Sequence, residues 1–355
     1  MCLNLIHGGD VYSVQKEQGK VPLDFSANIN PLGMPPGAIK AVLDSLEECV
    51  HYPDPLCRAL RDAVSAYEGV SAEQIVCGNG AADLIFRIAA AAKPRTALLP
   101  APTFAEYEQA LMTAGCDCRF YPLEETNGFA FTKDFLRELT PEINILFLCN
   151  PNNPTGRTIE QDLLLQIAER CKNLSIRLVV DECFIDFLNE PEKHTMKPHL
   201  NRYPNMLLLK AFTKIYAMPG LRCGYALCSD PHFIDVLYAV GQPWSVSVPA
   251  QRAGIAALTD EAYLRETRQC IREGRTWLTR NLEQLGAKVY PAEANYILFR
   301  MENAESIRKR LADKGVLVRG CGNYRGLNDH YLRIAVRGRK ENEQLIAALK
   351  NSLEG

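Results

Sequence analysis

The sequence predicts an α/β fold: a large domain built on a mainly parallel sheet, followed by a small C-terminal α+β domain. Between Gln74 and Leu227, short continuous apolar runs alternate with segments of helical period, the pattern of parallel strands covered on both faces. A long helical stretch over about 260–285 then leads into shorter strands and helices. The chain has 355 residues, more than one average core accommodates, which also favours a large domain plus a small one.

Residues 1–45 read as an N-terminal arm, loop-like and rich in Gly, Pro and Asn. It carries His7-Gly8-Gly9 and the run Asp24-Phe-Ser-Ala-Asn28-Ile-Asn30-Pro-Leu-Gly33. A helical segment is expected around 38–49, before the turn His51-Tyr52-Pro53-Asp54-Pro55. The large domain is assigned to 46–260, with strands at 75–77, 97–99, 145–149, 178–180, 206–209 and 225–227. Helices fit between them at 81–92, 104–114 and 159–171. The small domain takes 261–355, including the connecting helix. Its strands are expected near 288–290, 297–299, 316–319 and 331–335, and its helices at 304–314 and 341–353. There is no internal repeat or low-complexity segment.

Composition excludes several classes of function. Hydrophobic residues make up 47% of the chain, enough for buried sheets. The formal net charge of -2 provides no basic field for nucleic acid or an anionic membrane. No apolar run approaches a membrane span, and Met1–His7 lacks the features of a signal peptide, so a cytoplasmic protein is expected. Thirteen cysteines are scattered singly and the six histidines are dispersed, so the cysteines are read as reduced small hydrophobes. No metal site is expected; Cys116 and Cys118, the closest pair, lack further ligands nearby.

The chemistry concentrates in Lys210-Ala-Phe-Thr-Lys214-Ile-Tyr-Ala-Met-Pro-Gly-Leu-Arg222-Cys-Gly-Tyr225. A lysine amine condenses with aldehydes, and an arginine fork suits a phosphate. Pyridoxal phosphate carries both groups. Upstream, Val179-Val180-Asp181 is an apolar strand ending in a carboxylate, whose ionised form would be costly there without a partner. A pyridinium N–H supplies that partner and keeps the ring an electron sink. The turn Asn150-Pro-Asn-Asn153-Pro-Thr-Gly156 presents amides. Cys77-Gly78-Asn79-Gly80-Ala81-Ala82-Asp83 opens a helix directly after a strand, where backbone N–H groups cradle phosphate.

The order turn, aspartate, lysine, arginine resembles the fold-type I pyridoxal-phosphate enzymes of the aspartate-aminotransferase superfamily, over essentially the whole chain. The resemblance implies a fold-type I transferase with a mainly parallel seven-stranded sheet. It makes Lys214 the lysine that takes the aldehyde and Asp181 the partner of the ring nitrogen. Asn153 would bond the phenolic oxygen, and Phe104, in Pro102-Thr-Phe-Ala-Glu-Tyr107, would stack on the ring. Gly80, Ala81, Ala82, Thr213 and Arg222 would hold the phosphate, joined by Tyr52 reaching over from a second subunit. That implies a homodimer with shared active sites. Arg333, in Tyr331-Leu-Arg-Ile-Ala-Val-Arg337, resembles the carboxylate-binding arginine, while Arg337 is read as solvent-facing. One position departs from the pattern: Ala211 stands where the superfamily usually has a phosphate-binding serine.

His7-Gly8-Gly9, the Asp24–Gly33 run, Asp181-Glu-Cys-Phe184-Ile-Asp-Phe187 and Asn323-Tyr-x-Gly-Leu327 are similar to the threonine-phosphate decarboxylases of cobalamin biosynthesis. At Asp10 those enzymes usually show asparagine. The related histidinol-phosphate aminotransferases usually have tyrosine at the position of Phe184. A site that clamps the α-carboxylate in the ring plane labilises the Cα proton and transaminates. One that fixes the substrate by its phosphate and leaves the carboxylate perpendicular releases carbon dioxide. By this resemblance His7, Gly8, Asn28, Asn153, Arg319 and Arg333 bind a phosphoamino acid, the two arginines sharing phosphate and carboxylate. The expected reaction converts L-threonine O-3-phosphate to (R)-1-amino-2-propanol O-2-phosphate. The alternatives are a histidinol-phosphate-type aminotransferase, a phosphoserine decarboxylase and a non-catalytic cofactor-binding protein.

Overall fold

A computed structural model of the protein describes residues 8–353. Strands are numbered along the chain. The first, β1 (Leu23–Asp24), precedes the large sheet, which contains β2 (Ile75–Gly78), β3 (Thr96–Ala101), β4 (Asp117–Pro122), β5 (Ile145–Cys149), β6 (Arg177–Asp181), β7 (Met206–Ala211) and β8 (Gly224–Cys228). Their spatial order is β2-β8-β7-β6-β5-β3-β4. Every neighbouring pair is parallel except the two that involve β8. Strands β5 and β7 are buried at every position, as two-sided coverage by helices requires. One layer of packing joins Ile85, Tyr107, Phe147 and Leu209; the other joins Leu60, Leu148, Leu164 and Leu208.

Six of these strands match the apolar runs of the sequence. The seventh, β4, was not located there, because it is an edge strand with no continuous apolar run: Asp-Cys-Arg-Phe-Tyr-Pro. The helix Glu261–Gln284, capped by the Asp260 carboxylate accepting from Tyr263 N, matches the expected 260–285 stretch almost residue for residue.

Beyond it lies an antiparallel sheet ordered β12-β13-β10-β9, made of β9 (Lys288–Val289), β10 (Tyr296–Arg300), β12 (Arg319–Gly320) and β13 (Tyr331–Ala335). The strand expected over 316–319 is divided: β11 (Val316–Leu317) pairs instead with β1, in parallel. The arm is more ordered than its composition suggests, with helices at Val11–Gln18 and Pro36–Asp44. Phe25 N donates to Leu317 O and Ala335 N donates to Phe25 O, both at 2.8 Å. These bonds stitch the arm to the C-terminal sheet and deliver Ser26–Asn28 to the ends of the large-sheet strands.

Candidate active site

Open α/β sheets bind ligands beyond the carboxyl ends of their parallel strands, and here β5, β6 and β7 end in Cys149, Asp181 and Ala211. All three line one cavity of about 260 Å³. Gly8, Asn28, Ala81, Ala82, Phe104, Asn153, Thr213, Lys214, Arg222, Arg319 and Arg333 line the same space. Sequence positions more than three hundred residues apart therefore meet around a single volume.

Lys214 sits in the short helix Phe212–Ile215 that follows β7 directly. Burial pushes its amine down to about 8, helped by the guanidinium groups of Arg333 and Arg222. About a tenth of it is then uncharged at pH 7, against well under a thousandth for an ordinary lysine, and the uncharged amine is the nucleophilic form. Asp181 is 4% exposed. Tyr107 Oη donates to its Oδ2 at 2.6 Å, and Cys183 N donates to Oδ1 at 3.0 Å. Burial pushes the carboxyl upward, while the bonds from Cys183 and Tyr107 oppose that push.

Arg222 has φ of 58°, a left-handed backbone uncommon for a residue with a side chain. Its Nη1 donates to Pro219 O at 3.1 Å. The guanidinium lies against Gly80, where an added Cβ would come within 2.8 Å of Nη2. Gly80, at φ +80°, is thus required both by the turn and by the close approach. It starts the helix Gly80–Ala92, whose first amides lie beside that guanidinium.

The asparagine turn is fixed by its own bonds. Asn152 Nδ2 donates to Pro102 O at 3.0 Å, and Tyr296 Oη donates to Asn152 O at 2.8 Å. Asn153 Oδ1 accepts from Arg333 Nη1 at 2.5 Å, while Arg333 Nη2 donates to Ser26 O at 2.7 Å. Arg319 and Arg333 are direct cross-strand partners in the β12–β13 pair. Like charges directly opposite each other disfavour pairing. Tyr324 sits between them, its ring 5.2 Å from the Arg319 guanidinium carbon and its hydroxyl 3.5 Å from Arg333 Nη1.

Three of the expected site residues do not line this cavity. Gly80 lies against the Arg222 guanidinium, behind the lining formed by Ala81 and Ala82. His7 lies outside the described residues. Tyr52 is 79% exposed and stacks on Trp244, itself 46% exposed, with ring centroids 4.6 Å apart. Conversely, Ser26, Ala27, Glu106, Cys149, Cys183, Phe184, Ala211 and Tyr324 also line the cavity. Most lie inside the motif runs, so the signal for them was proximity to residues already singled out. Phe184, which packs edge-on against Tyr296, brings no hydroxyl.

The donor set fits pyridoxal phosphate. An amine with a lowered pKa, a buried carboxylate that forms no ion pair with a Lys, Arg or His side chain among the described residues, and a guanidinium beside a helix start face one cavity. Asn28 Oδ1 and Arg333 Nε are buried there without a hydrogen-bond partner among the described residues, which suits a polar ligand.

A family model for aminotransferase class I and II matches residues 20–349, and the chain belongs to that family. It is 42% identical to a threonine-phosphate decarboxylase of Salmonella typhimurium, over 99% of this chain and 98% of that one. The L-threonine-O-3-phosphate decarboxylase of Porphyromonas gingivalis superposes with a TM-score of 0.81 at 26% identity, covering 93% of this chain and 99% of that one. The histidinol-phosphate aminotransferase of Clostridium acetobutylicum superposes at 0.87 with 27% identity and the same coverage. The fold is therefore that of the fold-type I transferases, as the sequence predicts.

Proposed function

We propose that the protein is a pyridoxal-phosphate-dependent decarboxylase of L-threonine O-3-phosphate, forming (R)-1-amino-2-propanol O-2-phosphate for cobalamin biosynthesis. The observation that carries this reading is the cross-strand pair Arg319–Arg333 facing the cavity of Lys214 and Asp181. Two guanidinium groups on the wall of one cavity suit a ligand with two anionic groups, and a phosphoamino acid has a phosphate and a carboxylate. The 42% identity to the Salmonella decarboxylase supports the choice of reaction.

Pyridoxal phosphate, when bound, supplies an aldehyde that captures amines and a pyridinium ring that accepts the electron pair left on carbon. Lys214 Nζ would hold the cofactor at its aldehyde and would carry a proton at the substrate carbon. Asp181 holds a proton at the ring nitrogen. Arg222, Thr213 and the amides of Ala81 and Ala82 grip the cofactor phosphate, with Gly80 admitting the guanidinium. Asn153 addresses the phenolic oxygen and Phe104 covers a ring face. Arg319 and Arg333, with Asn28, Gly8 and His7, would hold the substrate's anionic ends and so fix the orientation of its carboxylate.

Tyr52, exposed on its own subunit, would complete the cofactor phosphate site of a second copy. The reading therefore includes a homodimer with shared sites, and a division of the chain at residues 45 and 260. No helix among the described residues is long and apolar enough to cross a membrane.

A histidinol-phosphate-type aminotransferase is the second reading, favoured by the superposition on the Clostridium enzyme. Phe184, lacking the hydroxyl of those enzymes, argues against it. Incubation with phosphothreonine, phosphoserine and histidinol phosphate separates the readings. Carbon dioxide from phosphothreonine without 2-oxoglutarate is expected. Keto-acid formation from histidinol phosphate that requires 2-oxoglutarate would establish the aminotransferase instead.

A further inference from the structure

Asp181 is buried and faces the cavity, yet the contacts that hold its carboxylate are uncharged. Tyr107 Oη donates to Oδ2 at 2.6 Å and Cys183 N to Oδ1 at 3.0 Å, with the Cys183 thiol as a further, weaker donor from the same segment. The backbone bond comes from Asp181's own segment. The phenol comes from another element, the helix Ala105–Thr113 that follows Phe104. Tyr107 is fully buried, and its ring has little freedom to turn. It stacks on Phe147 with centroids 5.0 Å apart and meets Phe104 edge-on at 5.5 Å. A single strong donor is thus aimed at one carboxylate oxygen by packing on two sides.

We propose that Tyr107 is a positioning residue for the reaction: its hydroxyl holds the Asp181 carboxylate ionised and oriented toward the ring nitrogen. The proposal rests on the pyridoxal-phosphate reading above. Its physical basis is competition for one proton. A ring nitrogen and a carboxylate share that proton, and whichever is the stronger base keeps it. A donor on the carboxylate weakens it as a base and leaves the proton on nitrogen, where the ring is the better electron sink. Removing the donor shifts the proton toward Asp181. The other titratable groups facing this carboxylate are Cys183 beside it, Cys149 at the end of β5, Lys214 after β7 and Tyr296 from β10. Of these, Lys214 favours the ionised carboxylate from a distance, without an ion pair. Burial keeps the Tyr107 phenol well above its ordinary range, so it remains a donor throughout the working pH range.

The test uses Tyr107→Phe, which keeps the ring and its stacking, and a protein carrying 3-fluorotyrosine at position 107, which is a stronger donor. In the cofactor-free protein, the Asp181 carboxyl is followed by carbon-13 NMR and identified by its loss in Asp181→Asn. Its midpoint should rise by about 1–2 pH units in Tyr107→Phe and fall with fluorotyrosine. With ring-nitrogen-15-labelled pyridoxal phosphate bound, the signal should move toward the unprotonated ring in Tyr107→Phe. kcat should fall by roughly ten- to a hundred-fold, with KM for phosphothreonine little changed.

A midpoint that does not move, or moves the same way in both proteins, overturns the proposal. So does a raised midpoint with an unmoved nitrogen signal. If Tyr107→Phe fails to fold, the fluorotyrosine protein decides alone by its direction. Failure of the wild-type protein to take up pyridoxal phosphate overturns the cofactor reading instead. The cofactor-free titration then decides whether Tyr107 sets the state of Asp181.

Discussion

Asp181 and Glu182 are neighbours at the end of one strand, both carboxylates and both buried, at 4% and 0% exposure. Side chains alternate along a strand, so the two face opposite sides and meet different surroundings. Glu182 accepts from Thr195 Oγ1 and from Met196 N, each at 2.7 Å, and pairs with Lys210 Nζ at 3.5 Å. Lys210 also faces Glu68 at 3.8 Å and Asp186 at 4.0 Å, while Lys197 reaches Glu68 at 3.0 Å. Asp181 has Tyr107 and a backbone amide and, among the described residues, no ion pair with a cation. The same alternation separates Lys210, in the ionic cluster, from Ala211, on the cavity. A buried charge that serves the fold finds its counter-ion inside the protein. One that serves a ligand is left with part of its demand unmet.

The largest effect that would sharpen this contrast is expected at Lys214. Lys214→Ala should lower turnover by roughly 10³-fold or more and abolish the visible absorption of bound cofactor. The fold should remain, because the amine's bonds are not among those that join the elements. Circular dichroism and absorbance titration check both halves, and retained activity would remove the assignment of Lys214.

Next come the two neighbours themselves. Asp181→Asn should leave stability near wild type but slow turnover by roughly 10²–10⁴-fold, since an amide cannot keep the ring nitrogen protonated. Glu182→Gln should do the reverse. It leaves Lys210 short of one counter-charge, with Glu68 and Asp186 still nearby, at a cost of about 3 kcal/mol in urea unfolding. Its kcat per folded molecule should stay near that of wild type. If both substitutions act mainly on stability, or both mainly on turnover, the division between the two faces is wrong.

A third effect follows from the Lys214 pKa of about 8. Only the uncharged amine attacks an aldehyde, so capture of pyridoxal phosphate by cofactor-free protein should quicken with pH and level off above about 8. Below that value the rate should fall by about tenfold per pH unit, the slope of a single deprotonation. An ordinary lysine would level off only near 10.5. A plateau there in stopped-flow absorbance would show that the cavity does not lower this amine's pKa.

These contrasts also explain which features were legible in the sequence. The strands of the sheet centre were readable because burial on both faces leaves continuous apolar runs. Strand β4 was not, because at the edge its residues alternate between partner and solvent. The stretch 316–319 has one extended character in sequence, and only the fold divides it between β1 and β13. Lys214, Asp181 and Arg222 were legible because their chemistry is unusual in their local setting. Tyr107 and Tyr324 were not, although both lie within quoted motifs. A phenol's role depends on what its hydroxyl reaches, and for both a partner lies far away in sequence: Asp181 for the first, Asn153 for the second.

The smallest effect tests the cavity side of the strand end. Ala211 lines the cavity alongside Thr213 and Arg222, at the position where the resembled superfamily has a phosphate-binding serine. Ala211→Ser restores one hydroxyl donor without entering the ionic cluster, because Lys210 beside it points the other way. One added hydrogen bond contributes about 0.5–1.5 kcal/mol, so cofactor affinity should improve by roughly two- to tenfold. The dissociation constant of pyridoxal phosphate reads this, and an unchanged melting temperature is the control. An unchanged dissociation constant would mean that the phosphate does not lie at the end of β7. Weaker binding would mean that the space at Ala211 is already filled when the cofactor is bound, and that the missing hydroxyl is a steric necessity of this chain.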